Sequence, residues 1–255
     1  MIYVFLIKRG EKMKKTIIIT GASGDIGKAI AEKFAKLGYN LALCSNKNNV
    51  EYDDDLKSKY KIEIKNYKMD ISDFKQVETV FNKIFSDFDA VNVLVANAGI
   101  SEKRKLIIDV TNEEINDLID INLKGSIVCS REFVKHVMDK SGKIILIGSF
   151  VANYGCACES VYSASKAGLV GLCKSLANEL GNFDITVNMV NPGFIDTKMN
   201  NNLTSAEKED IENMTPLMRL GEAVDVAEAV AFLAEDSGNF VTGQAINVDG
   251  GYIPL

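Results

Sequence analysis

Short runs of β-branched and other apolar residues alternate with longer amphipathic stretches along the chain. Apolar runs at 16–20, 40–44, 62–69, 91–96, 143–148 and 185–190, and a last one within 243–251, read as strands, several of them apolar enough to be buried on both faces. Between them, residues 28–37, 74–85, parts of 111–140, 160–180 and 224–235 place apolar residues at helical spacing. Strand and helix therefore alternate almost from end to end. This order predicts an α/β fold: a doubly wound parallel sheet of about seven strands flanked by helices, with right-handed crossovers. Two stretches stand outside the pattern. Residues 49–60 are polar and acidic, a short surface helix or loop, and 195–222 is long, polar and weakly periodic, a candidate lid over a substrate.

Composition narrows the class. The chain has 255 residues, 47% of them hydrophobic, enough for one large core. We expect a single domain over 13–255. Residues 1–12 read as an N-terminal extension, with Met13 the expected initiator. Their apolar run precedes its charges, the reverse of a signal peptide. The net charge of -6 argues against a nucleic-acid partner. No apolar run is long enough to span a bilayer, so no membrane partner is expected. Five cysteines, an odd number, point to reduced thiols in a cytoplasm. Cys156 and Cys158 are one residue apart and the single histidine, His136, is distant in sequence, so no metal site is expected.

The ends of the strands carry the chemistry. After the first strand comes Thr20-Gly21-Ala22-Ser23-Gly24-Asp25-Ile26-Gly27, then a helix. A glycine-rich turn in this setting lets the backbone approach a pyrophosphate, which the helix N-terminus favours. The sheet is thus Rossmann-type. After the second strand, Ser45-Asn46-Lys47-Asn48 offers no carboxylate to a ribose 2′-hydroxyl, while Lys47 is placed to meet a 2′-phosphate; this favours NADP(H) and leaves NAD(H) open. Asp70, Asn97, Ser149 and Pro192-Gly193 also follow strand ends, so they can converge on one crevice. Tyr162 and Lys166, four apart, share one face of a helix, and a nearby ammonium is expected to lower the tyrosine's pKa. That makes Tyr162 a general acid, with Ser149 bonding the substrate oxygen as charge builds on it. Asn122, polar inside an apolar helical run, needs a partner if buried; it either caps locally or holds a water.

Taken together, residues 14–252 resemble the short-chain dehydrogenase/reductase family. The matching pieces are Thr20-Gly21 and Gly27, Asp70, Asn97-Ala98-Gly99, Asn122, Ser149, Tyr162 with Lys166, and Pro192-Gly193. Ser149 and Tyr162 lie thirteen apart, the family's usual interval. The resemblance implies that Tyr162 protonates the carbonyl oxygen and that Lys166 tunes it and holds the nicotinamide ribose. It implies that Ser149 orients the carbonyl and that Asn122 positions a water in a proton relay. Gly21, Ser23, Ile26 and Gly27 would line the pyrophosphate, Asp70 the adenine, Asn97 and Gly99 the adenosine side, and Ile195 and Thr197 the nicotinamide carboxamide. It also implies a homotetramer paired through the helices near 111–140 and 160–180. One departure is Gly24-Asp25, where the family usually has a basic residue and then glycine; Asp25 is expected to turn outward and cap the helix.

Within the family the chain looks most like bacterial 3-oxoacyl-[acyl-carrier-protein] reductases, through the segments 191–199, 215–221 and Thr242-Gly-Gln. The expected substrate is a small or carrier-protein-bound ketone. The segments 155–159 and 203–207 also resemble reductases of a 5-aminopentanone modification on elongation factor P, where Glu159 would greet an amine. The alternative from another class is a non-catalytic module that senses NADP(H). Intact Ser149, Tyr162 and Lys166 argue for the enzyme.

Overall fold

A computed structural model describes residues 14–101, 103–200 and 203–252. The expected extension over 1–12 and Met13 lie outside the described residues. Seven strands form one sheet: β1 (Thr16–Thr20), β2 (Asn40–Ser45), β3 (Ile64–Lys68), β4 (Val91–Ala96), β5 (Gly142–Ile147), β6 (Ile185–Pro192) and β7 (Ala245–Val248). All neighbours pair in parallel, in the order β3-β2-β1-β4-β5-β6-β7. The order reverses between β1 and β4, which opens a crevice at the strands' carboxyl ends there.

The helices are α1 (Asp25–Lys36), α2 (Asp53–Tyr60), α3 (Phe74–Asp87), α4 (Asn112–Leu118), α5 (Ser126–Val137), α6 (Val151–Tyr154), α7 (Ser160–Leu180), α8 (Ser205–Met214) and α9 (Ala223–Ala234). They cover both faces of the sheet. On one face Ile17, Ile19, Leu41, Leu43 and Val95 pack with Ile30 and Phe34 of α1 and Val226 and Val230 of α9. On the other, Ile18, Leu94, Ile144 and Leu146 pack with Phe81 of α3, Phe133 of α5 and Leu169 of α7. Every residue of β1 is buried, because a central parallel strand meets helices on both sides. The edge strand β3 alternates between buried and more open positions instead.

Three elements differ from the sequence reading. Residue 25 already belongs to α1, three residues before the expected start. The weakly periodic 195–222 holds α8, which opens on a capping box: Thr204 Oγ1 accepts from Glu207 N–H, and the Glu207 carboxylate accepts from Thr204 N–H. Between α4 and α5, residues Ile119–Gly125 form a π-helix. Ser126 and Ser130 bond carbonyls four residues back, at 3.0 and 2.8 Å, and a Cβ on Gly125 would meet Ile71 at 2.7 Å. No helix among the described residues is long and apolar enough to cross a membrane.

Candidate active site

The glycine-rich turn is held against the end of β4. Asn97 Nδ2 donates to the carbonyls of Thr20 and Gly21, at 2.9 and 3.1 Å. Thr20 Oγ1 accepts from the N–H groups of Asn97 and Ala98, both at 3.0 Å. Gly21 has φ +64°, and a Cβ there would sit 2.7 Å from Ala98 Cα; one on Gly27 would sit 2.4 Å from the Gly21 carbonyl oxygen. The turn is therefore a cradle that side chains would fill. Gly24 caps α1 without any side-chain bond, and Lys28 is the first residue to donate back into the helix, to Gly24. The N–H groups of Asp25, Ile26 and Gly27 form the open first turn, next to Ser23, and fit an anionic diphosphate.

Beyond β2, Asn46 Nδ2 donates to Asp70 at 2.8 Å, and Ser72 donates to the same carboxylate from N–H and Oγ. Burial works against the ionised Asp70, but the bonds from Ser72 and Asn46 and the charge of Lys47 outweigh it and hold the carboxyl below its usual range. Lys47 itself is exposed.

Ser149, Tyr162, Lys166 and Asn122 do come together. Ser149 follows β5; Tyr162 and Lys166 lie in the first two turns of α7. Lys166 is buried, donates to the Ile147 carbonyl at 3.0 Å, and lies 5.7 Å from the Tyr162 ring centroid. A Cβ on Gly99 would lie 3.1 Å from Asn122 Oδ1 and 3.3 Å from Lys166 Nζ, so this backbone threads between them. Asn122 is fully buried; its Oδ1 accepts from Ile100 N–H at 2.8 Å, and its Nδ2 donates to Ile100 O and Ser165 Oγ. Ser165 Oγ in turn donates to the Tyr162 carbonyl at 2.7 Å. The side chain of Asn122 is thus committed to protein partners. A water at this residue would have to use main-chain groups, which the π-helix re-aims.

The pKa expectation is corrected. Burial pushes the Tyr162 hydroxyl up to about 12, against a hydrogen bond from Ser149 that pulls it down. Burial pushes the Lys166 ammonium down to about 8. Tyr162 is therefore held as the neutral acid, and the residue poised near neutral pH is Lys166.

Beside this cluster opens a cavity of about 790 Å³. Phe150, Phe194 and Tyr252 form an aromatic wall, with ring centroids 5.1 to 5.4 Å apart, and Tyr162 packs against it. Arg104, Cys156, Glu207 and Asp210 also line the cavity. Arg104 Nε donates to Glu159 at 2.9 Å, so Glu159 is already paired. Sequence reading missed the aromatic wall, because its three members come from separate loops with no common period.

Of the remaining expected positions, only Asp25 departs from its expectation. Pro192 ends β6 and Gly193 follows it, packed so closely that a Cβ would lie 2.7 Å from Asp249. The Ile195 side chain is buried in the core, and its carbonyl accepts from Thr197 Oγ1 at 3.4 Å and Asn200 Nδ2 at 2.7 Å. Asp25 does not cap α1. Its carboxylate accepts from the N–H of Lys198 at 2.7 Å.

Residues 21–253 match the protein family described as enoyl-(acyl carrier protein) reductase. A 3-oxoacyl-[acyl-carrier-protein] reductase of Staphylococcus aureus is 38% identical over 244 residues, covering 94% of this chain and 98% of the relative. Among solved structures, ElxO with NADP bound is 33% identical with a TM-score of 0.86, over 94% of this chain and 99% of the other. A 3-ketoacyl-(acyl-carrier-protein) reductase from Brucella melitensis, complexed with NADH, is 27% identical with a TM-score of 0.86, over 93% and 98%. Likeness along almost the whole chain, over a sheet whose switch point carries a glycine-rich turn and whose β5 end faces a Tyr–Lys pair, makes this chain a member of the short-chain dehydrogenase/reductase family and an NAD(P)-dependent oxidoreductase.

Proposed function

We propose that the chain reduces a ketone to an alcohol with NADPH, and that the ketone is a 3-oxoacyl group on acyl carrier protein, in fatty acid synthesis. The supporting observation is the cluster of Ser149, Tyr162, Lys166 and Asn122 beside a cavity with an aromatic wall. The turn Gly21–Gly27, with Ser23 and the N–H of Ile26, holds the diphosphate. Asp70, Asn97 and Gly99 line the adenosine side, and Pro192, Gly193, the Ile195 backbone and Thr197 line the nicotinamide side. When bound, the nicotinamide supplies a hydride. Ser149 bonds the carbonyl oxygen as it gains charge, and Tyr162 donates its hydroxyl proton to that oxygen. Lys166 lies close enough to stabilise the phenolate left behind, and Asn122 marks the entry of the replacement proton. An intact acid beside the nicotinamide has no use in a pure NADP(H) sensor.

NADP(H) is favoured because no carboxylate directly follows β2 and the exposed Lys47 lies in the loop after it. We place the protein in the cytoplasm, where its five free cysteines stay reduced. We expect a homotetramer, pairing through residues 111–140 and 160–180; light scattering tests it.

A second reading has an observation of its own. Glu207 and Asp210 line the cavity while Arg104 is neutralised by Glu159, so the cavity favours a substrate that carries an amine. The 5-aminopentanone modification of elongation factor P is such a substrate. Turnover of NADPH with an acetoacetyl thioester on carrier protein, compared with an amino-ketone on elongation factor P, separates the two. Fast reduction of the thioester supports the first reading. Reduction of the amino-ketone alone replaces it with the second.

A further inference from the structure

Asp25 sits in the open first turn of α1, at the centre of the phosphate cradle, where a carboxylate is electrostatically misplaced beside a diphosphate. Its carboxylate accepts from the N–H of Lys198, 173 residues away in sequence. Lys198 opens a 3-10 turn, Lys198–Asn200, at the end of a strap that leaves β6. The near end of the strap is fastened to the sheet side: Ile195 bridges Gly221, Asp196 N–H donates to the Gly221 carbonyl at 2.8 Å, and Gly221 N–H donates to Phe194 at 2.9 Å. The strap also carries Thr197, and Asp196 pairs with Lys208 of α8 at 2.9 Å. The Asp25 bond is what ties the strap to the opposite wall of the crevice.

We propose that Asp25 is a positioning residue that pins this strap across the mouth of the dinucleotide crevice, so that the diphosphate cradle and the nicotinamide-side loop are held as one unit and the cofactor leaves only when the Asp25–Lys198 bond opens. The proposal takes the cradle to be the NADP(H) site, as in the reading above. It explains why an acid is tolerated in the cradle: its charge is turned onto a backbone N–H instead of toward the diphosphate.

The test is the NADPH dissociation rate, followed by stopped-flow fluorescence of the bound dinucleotide, with hydrogen exchange of residues 195–200 in the cofactor-free chain. Asp25→Ala removes the acceptor, and Lys198→Pro removes the donor at a first helical position, where proline is tolerated. Each should speed dissociation roughly tenfold, the scale of one hydrogen bond to a charged group, and the double variant should be no faster than either single one. Asp25→Asn keeps an acceptor oxygen and loses the charge, so it should release NADPH no faster than the unaltered chain. Lost helix-dipole stabilisation lowers thermal stability alike in the Ala and Asn variants, so stability does not mimic this pattern. The N–H of Lys198 should exchange slowly in the unaltered chain. Fast exchange there overturns the proposal, as do equal rates for the Ala and Asn variants or additive effects in the double one. If the unaltered chain binds neither NADPH nor NADH, the cofactor reading itself is wrong and the proposal falls with it.

Discussion

Lys166 Nζ donates to the main-chain oxygen of Ile147 at 3.0 Å, which fixes the second turn of α7 to the end of β5, two residues before Ser149. One bond thus sets the distance between the serine hydroxyl and the face of the helix that carries Tyr162. Burial, not this bond, pushes the same ammonium down to about 8.

That placement predicts the pH profile. Lys166 must be charged to stabilise a phenolate at Tyr162, and its pKa is pushed down to about 8. In the reductive direction kcat/KM should be flat below that pH and fall about tenfold per unit above it. Tyr162, pushed up to about 12, stays protonated across this window and adds no second limb there. Unfolding is not the cause of the loss. An unfolded lysine, with a pKa of about 10.4, keeps its proton longer than the folded one, so the contribution of Lys166 to stability rises over the same window. A profile that climbs through pH 8 to 9 contradicts the assignment.

Asn122 predicts a stability effect. Its amide satisfies both the N–H and the carbonyl of Ile100 from a fully buried position. Asn122→Ala should cost about 1 to 2 kcal/mol, because two part-buried backbone groups of Ile100 lose their partner. Urea unfolding measures it; a change under about 0.5 kcal/mol would show that solvent reaches Ile100 in the variant.

Gly27 predicts loss of the cradle. A methyl at this position lies 2.4 Å from the Gly21 carbonyl oxygen, a contact that only a backbone shift can relieve. Gly27→Ala should abolish dinucleotide binding measured by calorimetry while the far edges of the sheet stay folded by hydrogen exchange. Unchanged binding would remove the turn from the site.

Lys47 predicts the choice of dinucleotide. It is exposed and near enough to Asp70 for its charge to act there. Lys47→Ala should raise the KM for NADPH by roughly tenfold, the scale of one charge-assisted bond, and leave the KM for NADH unchanged. Equal shifts for both would assign the lysine to the surface alone.

The sheet was legible because parallel central strands are short apolar runs and the helices between them repeat at 3.6 residues. Ser160–Leu180 has the bounds its pattern predicted, and Ser149, Tyr162 and Lys166 converge as expected. What was hidden depends on contacts between distant segments. The segment 195–222 looked aperiodic because α8 buries Ile211 alone, yet the start of α8 was written in Thr204 and Glu207. The phenol's raised pKa, the burial of Ile195 and the bond from Asp25 to Lys198 follow from what packs around each group, and no local pattern encodes that. The π-helix at Ile119–Gly125 was equally invisible, since its apolar spacing passes for an ordinary helix.

The most direct test of the account is single-turnover oxidation of bound NADPH with an acetoacetyl thioester, comparing the unaltered chain with Tyr162→Phe. The account predicts that both chains bind NADPH equally and that the variant reduces the ketone about 10²- to 10⁴-fold more slowly, the span of a lost general acid. A Tyr162→Phe chain that oxidises NADPH at the unaltered rate would contradict it, because the proton would then reach the carbonyl oxygen from some other group.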